Sequence, residues 1–177
     1  MIDYHISQVT GSNKGIGCAI VKELCSKFDG IVYLTSRNES RGLAATQELN
    51  QEGLHPMYHQ LDIDDEKSVV ALRDYLKDTY GGLDVLVNNA GVLNVGGSFG
   101  EDATRTVRTN FFSTLRTCDI LFPILKAHGR VVNVSSSMGH MSMITGQGKA
   151  TMELRQQLTS DSLTKDQLCQ LMQNFVE

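Results

Sequence analysis

At 177 residues, with 41% hydrophobic side chains and 16 glycines, the chain is long enough for one domain with its own core. A net charge of −4 carries no basic excess, which argues against nucleic acid or an anionic membrane as the partner and points to a small soluble ligand. No uninterrupted apolar segment approaches the length of a membrane span.

Short apolar runs alternate with longer amphipathic segments, the order of βαβ units that build a parallel sheet. Strands are predicted over 6–10, 31–35, 57–61, 84–88 and 130–135, with helices between them over 15–28, 40–52, 65–79 and 102–127. Runs such as VLV and RVVNV suit strands buried on both faces. Asn38 or Ser40 can cap the second helix and Asp64 the third, each by accepting a hydrogen bond from a free first-turn N–H. Gly53 and the pair Gly81, Gly82 then stop those helices, since glycine accepts the left-handed backbone of a helix end. After Ser137 comes a loop rich in glycine, serine and methionine, followed by helices near 150–159 and 164–176. The second of these opens at Thr164, with Gln167 in capping-box spacing. No sixth strand, repeat or linker is visible, so the expectation is one domain over 1–177 with a helical tail at 138–177.

The strongest motif is TGSNKGIG, in which Gly11, Gly15 and Gly17 leave a predicted strand and open a predicted helix. Gly11 permits a tight turn, Gly15 lets backbone N–H groups approach a pyrophosphate, and the helix amino end favours the anion. Asn13, Lys14 and Ile16 complete the loop. Proteins that bind NAD commonly place an acid about 20 residues beyond such a loop, where it repels a 2′-phosphate. Here Arg37 stands at the end of the second strand, and its guanidinium can meet that phosphate with charge-assisted hydrogen bonds. Lys14 adds a second positive charge, so NADP(H) is the expected cofactor. Asn89, Ala90 and Gly91 follow the fourth strand at the carboxyl edge of the sheet, where open α/β sheets bind ligands. Asn88 is expected to tie neighbouring strands, leaving Asn89 as the cofactor contact.

The spacing G-x-x-x-G-x-G, with LDI at Leu61 to Ile63, NNAG at Asn88 to Gly91, TNFF at Thr109 to Phe112 and NVSS at Asn133 to Ser136, resembles the short-chain dehydrogenase/reductase family over nearly the whole chain. TGSNKGIG, HQLDIDD, YGGLDVLVNNAG and GRVVNVSS are similar to the monomeric carbonyl reductases of that family. The resemblance implies a Rossmann-type doubly wound parallel sheet in the order 3-2-1-4-5, with further carboxyl-terminal strands missing here. It also implies NADPH-dependent reduction of ketones, aldehydes and quinones to alcohols. By the same resemblance Asp62 accepts from the adenine amino group with Ile63 beside the ring, Ser136 orients the substrate carbonyl, and Asn110 holds a water of the proton relay.

The family's proton donor is a tyrosine followed four residues later by a lysine, a spacing that puts the ammonium where it lowers the phenol's pKa. No tyrosine follows Tyr80, and LMQNFVE resembles the helical insertion that precedes this pair in the carbonyl reductases. The 177-residue chain is therefore expected to be a truncated, inactive part of a reductase. The alternative is a noncatalytic NADP-binding or regulatory protein. The histidines and cysteines lack metal-ligand spacing, so no metal is expected. Cys18, Cys25, Cys118 and Cys169 are sparse, which fits a reducing compartment, and the amino terminus shows no signal-peptide pattern; a cytoplasmic protein is expected. The resemblance implies a monomeric intact enzyme, whereas a bare fifth strand would let the short chain self-associate.

Overall fold

The computed structural model describes residues 4–93 and 96–177, which form two compact units. The first comprises the described residues through Leu93 together with Arg108–Val134; the second comprises the described residues between those stretches together with Ser135–Glu177. Among the described residues no helix is long and apolar enough to cross a membrane.

The first unit is a five-stranded parallel sheet in the order β3-β2-β1-β4-β5, as the resemblance implies. Its strands are β1 (Ile6–Val9), β2 (Ile31–Ser36), β3 (Met57–Gln60), β4 (Leu83–Asn88) and β5 (Leu125–Asn133). β1 is central: Ile6 lies against Ile31 of β2, and Ser7 against Val85 of β4. Because side chains alternate across a strand, Ile6 and Val9 enter different cores. Ile6 packs with Tyr33, Leu72, Leu76, Leu86 and Leu121, which brings α3 (Glu66–Tyr80) and α5 (Thr114–Leu121) onto one face. Val9 packs with Val21, Leu34, Ala45 and Leu49 beneath α1 (Gly15–Lys27) and α2 (Glu39–Gln51) on the other. Each fully buried Leu or Val contributes roughly 1.5–3 kcal/mol, so this two-sided burial dominates the unit's stability.

Local signals place most helix ends as expected. Asn38 caps α2 by accepting from Arg41 N at 2.9 Å, and Gly81 ends α3 in the left-handed conformation, φ +74°. Two expectations are corrected. The cap of α3 is Asp65, which accepts from Lys67 N at 3.0 Å; Asp64 is instead engaged by the hydroxyls of Thr109 and Ser113. The single helix expected over 102–127 is broken into α4 (Phe99–Val107), a π-helical turn (Arg108–Ser113), α5 and a 3₁₀ turn (Phe122–Ile124). Pro123 in that last turn has no N–H to continue the ladder, and Leu125 already pairs with Leu83. β5 therefore starts earlier than the predicted 130, and its register against β4 shifts between Leu83 and Val85.

Asn88 ties strands as expected: its amide donates to Asn133 Oδ1 at 2.9 Å and to Cys118 Sγ at 3.2 Å. Burial pushes the Cys118 thiol up in pKa, so its sulfur remains a neutral acceptor.

The second unit is helical: α4, two 3₁₀ turns (Ser137–Gly139 and Met141–Met143), α6 (Lys149–Leu158) and α7 (Lys165–Val176). The predicted capping box of α7 is present, with Gln167 N donating to Thr164 Oγ1 at 3.2 Å and Thr164 N to Gln167 Oε1 at 2.9 Å. α4 packs against α7.

Candidate functional site: a dinucleotide cleft

A cleft of about 580 Å³ opens at the carboxyl ends of the strands in the first unit. Its floor is the loop from Gly11 to Gly17; Arg37 stands on one side, Leu61 to Asp64 follow β3, and Asn89 to Val92 follow β4. All twelve residues expected to touch a cofactor line this cleft: Gly11, Asn13, Lys14, Gly15, Ile16, Gly17, Arg37, Asp62, Ile63, Asn89, Ala90 and Gly91.

The glycines act through space as well as backbone conformation. A Cβ on Gly17 would come within 2.4 Å of Asn89 Nδ2 and 2.8 Å of Ser12 Cα, and one on Gly11 within 2.9 Å of Ala90 Cα. These two let the loop close onto β4. Gly15, at φ +59°, has no atom within 4 Å of where its Cβ would sit, so its exposed backbone faces open space. The residue before α1 is Lys14, and among the described residues no side chain caps that helix, unlike α2, α3 and α7. The first-turn N–H groups are thus open to an external acceptor, and the helix field favours an anion. This cradle fits the pyrophosphate of a dinucleotide. Arg37 and Lys14 are both exposed, and together they give the same cleft two cationic groups.

Asn89 does more than line the cleft. Its amide donates to Thr10 O at 2.9 Å and Gly11 O at 3.1 Å, bracing the glycine loop. Thr10, which sequence reasoning missed, is 2% exposed, and its hydroxyl accepts from Asn89 N at 2.9 Å and Ala90 N at 2.8 Å. Ser12, also missed, donates to Val9 O at 2.8 Å and accepts from Thr35 N at 3.0 Å. The available signal was two short hydroxyl residues flanking Gly11 at the end of a buried strand, where each must find internal partners.

Asp62 Oδ1 accepts from Asp64 N at 3.0 Å, and Ile63 is 7% exposed at the edge of the core. Asn110 lies in the π-helical turn, where its side chain clasps the backbone after β4: Oδ1 accepts from Val92 N and Nδ2 donates to Val92 O, both at 2.8 Å. Ser136 belongs to the second unit. It is exposed in a shallow hollow with Ser135, Gly139 and His140, and its Oγ accepts from Met138 N at 3.2 Å.

Residues 6–148 match the family described as short chain dehydrogenase. The chain belongs to the short-chain dehydrogenase family. It is 50% identical over 175 residues to carbonyl reductase (NADPH) 1 of Bos taurus, an alignment covering 97% of this chain and 62% of that relative. Menthone neomenthol reductase from Mentha piperita shares 28% identity and superposes with a TM-score of 0.86 over 98% of this chain and 73% of that one. A metagenomic short-chain oxidoreductase solved in complex with NADP is 28% identical, with a TM-score of 0.66 over 75% of this chain and 62% of that one.

Proposed function

We propose that the chain is the NADP-binding part of an NADPH-dependent carbonyl reductase that converts ketones, aldehydes or quinones to alcohols. The observation that carries this reading is the meeting, in one cleft, of an uncapped helix amino end, the open face of Gly15, and the cations Arg37 and Lys14. The similarity to carbonyl reductase (NADPH) 1 supports it. In this reading residues 1–177 belong to one NADP-binding domain, with 138–177 a helical insertion after β5, whose last residue is Asn133. A cytoplasmic location belongs to the same reading.

NADPH, when bound, supplies the hydride. The first-turn N–H groups of α1 would hold the pyrophosphate, Arg37 and Lys14 the 2′-phosphate, and Asp62 with Ile63 the adenine. Ala90 and Gly91 wall the cleft beside Asn89. In the intact enzyme of this reading, Ser136 Oγ would donate to the substrate oxygen as negative charge grows there, and Asn110 would hold a water that passes protons. The final proton requires a phenol, and the last tyrosine of these residues is Tyr80. By itself the 177-residue chain therefore binds cofactor without turning over carbonyl substrates. The second reading is a noncatalytic NADP-binding protein. Extending the chain with the family's tyrosine and lysine restores quinone reduction if the first reading is right and leaves it absent if the second is. The extended protein is expected to be monomeric. The short chain is expected to self-associate through β5, where Val132 is 48% exposed.

Titration calorimetry tests the cofactor. NADPH should bind tighter than NADH, and Arg37→Asp should weaken NADPH by about tenfold or more, the worth of a charge-assisted hydrogen bond. Equal affinity for the two cofactors in the unmutated chain overturns the assignment.

A further inference from the structure

Asp64 is a half-buried carboxylate that cofactor binding leaves unexplained, although it lines the cleft. It follows Asp62 and Ile63 directly, yet its oxygens reach across to the π-helical turn. Ser113 Oγ donates to Oδ1 at 2.6 Å and Thr109 Oγ1 to Oδ2 at 3.0 Å. The clasp is reciprocal: Arg116 Nη2, from α5, donates to the carbonyls of Ile63 and Asp64, each at 3.1 Å. Ser113 is 1% exposed and Thr109 9%, so these are interior bonds that water does not readily replace.

The π-helical turn is held from its other side by Asn110, bonded twice to Val92. Hydrogen bonds thus tie Asp64 to Thr109 and Ser113, and within the same turn Asn110, next to Thr109 in the chain, is bonded to the segment after β4. A π turn is an uncommon backbone state, retained where tertiary contacts select it over the α-helix. Here those contacts are the two hydroxyls on Asp64 and the clasp on Val92.

Resting on the dinucleotide reading above, we propose that Asp64 is a positioning residue that transmits occupancy of the adenine end of the cleft to the π-helical turn carrying Asn110. A ligand that orders Asp62 and Ile63 restrains the next residue, and Asp64 restrains Thr109 and Ser113. Coupling of this kind requires that ligand binding tighten the clasp, so it is visible as ligand-dependent order in the turn.

The test is amide hydrogen exchange of the chain with and without saturating adenosine 2′,5′-bisphosphate, which fills the adenine half alone. In the unmutated chain the ligand should slow exchange in residues 11–17, and also in 108–113 by about fivefold or more. Asp64→Ala should keep the first effect and lose the second. Ser113→Ala, which leaves the cleft lining intact, should reduce the second, and Asp64→Asn, which keeps an acceptor oxygen, should fall between. Protection of 11–17 without protection of 108–113 in the unmutated chain, or protection of both that persists in Asp64→Ala and Ser113→Ala, overturns the coupling while sparing the cofactor reading. Protection of neither segment overturns both. If Asp64→Ala loses its cooperative thermal transition, Ser113→Ala and Asp64→Asn decide.

Discussion

The two units of this chain solve the same problem, hiding apolar surface, to very different degrees. In the first, Ile6, Val9, Val21, Leu34, Leu72, Leu76, Leu83, Leu86 and Leu121 are fully buried on the two faces of one sheet. In the second, Val107 is buried, but α6 and α7 contain no buried residue, and Met138, Met152 and Phe175 are 59–68% exposed. The second unit's order comes instead from local devices such as the Thr164–Gln167 capping box, each worth about 1 kcal/mol. Local signals suffice to form a helix, but tertiary burial is needed to hold it.

The largest effects should separate the units. Leu72→Ala, on the buried face of α3, should cost about 3 kcal/mol in urea unfolding, whereas Leu171→Ala in α7 should cost less than about 1 kcal/mol. Comparable losses at the two sites would break the contrast and mean that α7 shares the cooperative core.

A smaller effect concerns how the sheet is tied at its amino edge. Asp84 accepts from Ile6 N at 2.7 Å and His5 Nδ1 at 3.2 Å and pairs with Lys126 Nζ at 3.3 Å, joining β1, β4 and β5. Burial pushes its carboxyl up, but these donors outweigh it and hold the group below its ordinary value of 3.8. A depressed native pKa means that the ionised carboxylate stabilises the fold above that ordinary value and loses this contribution as pH falls through the native one. Asp84→Asn should therefore lower stability by about 1–2 kcal/mol at pH 7 and flatten the acid limb of the stability profile. An unchanged acid limb would assign the tie to packing.

The smallest effect is a gain. His128 is exposed at φ +66°, inside the irregular stretch where the register between β4 and β5 shifts. A left-handed residue with a Cβ costs about 1–2 kcal/mol, partly offset by the extra freedom of glycine in the unfolded chain. His128→Gly should raise stability by about 0.5–1 kcal/mol, read as a higher denaturation midpoint. A loss would show that the imidazole packs in this turn.

Much of the fold and most of the candidate cleft could be read from residue order alone, for an identifiable reason. Alternating apolar runs and amphipathic stretches report burial directly, and Gly11 and Gly17 of TGSNKGIG mark close approaches that a Cβ at either position would forbid. The strands, the caps at Asn38 and Thr164, and the cleft-lining residues from Gly11 to Gly91 follow from such signals. Other features depend on partners far away in sequence. Asp64 and Asp65 are equivalent as local caps; Thr109 and Ser113, more than forty residues on, claim the first and leave the second to α3. The stretch over 102–127 is locally helical, but the clasp of Asn110 on Val92 and the pairing of Leu125 with Leu83 divide it into a π turn, a short helix and a strand. Thr10 and Ser12 become structural only once β1 lies between β2 and β4, because Ser12 bonds Thr35 of β2 and Thr10 bonds Val87 of β4 and the amides of Asn89 and Ala90 just after it. Periodicity states what is buried; which of several equivalent polar groups meets which partner is settled when the sheet brings them within 3 Å.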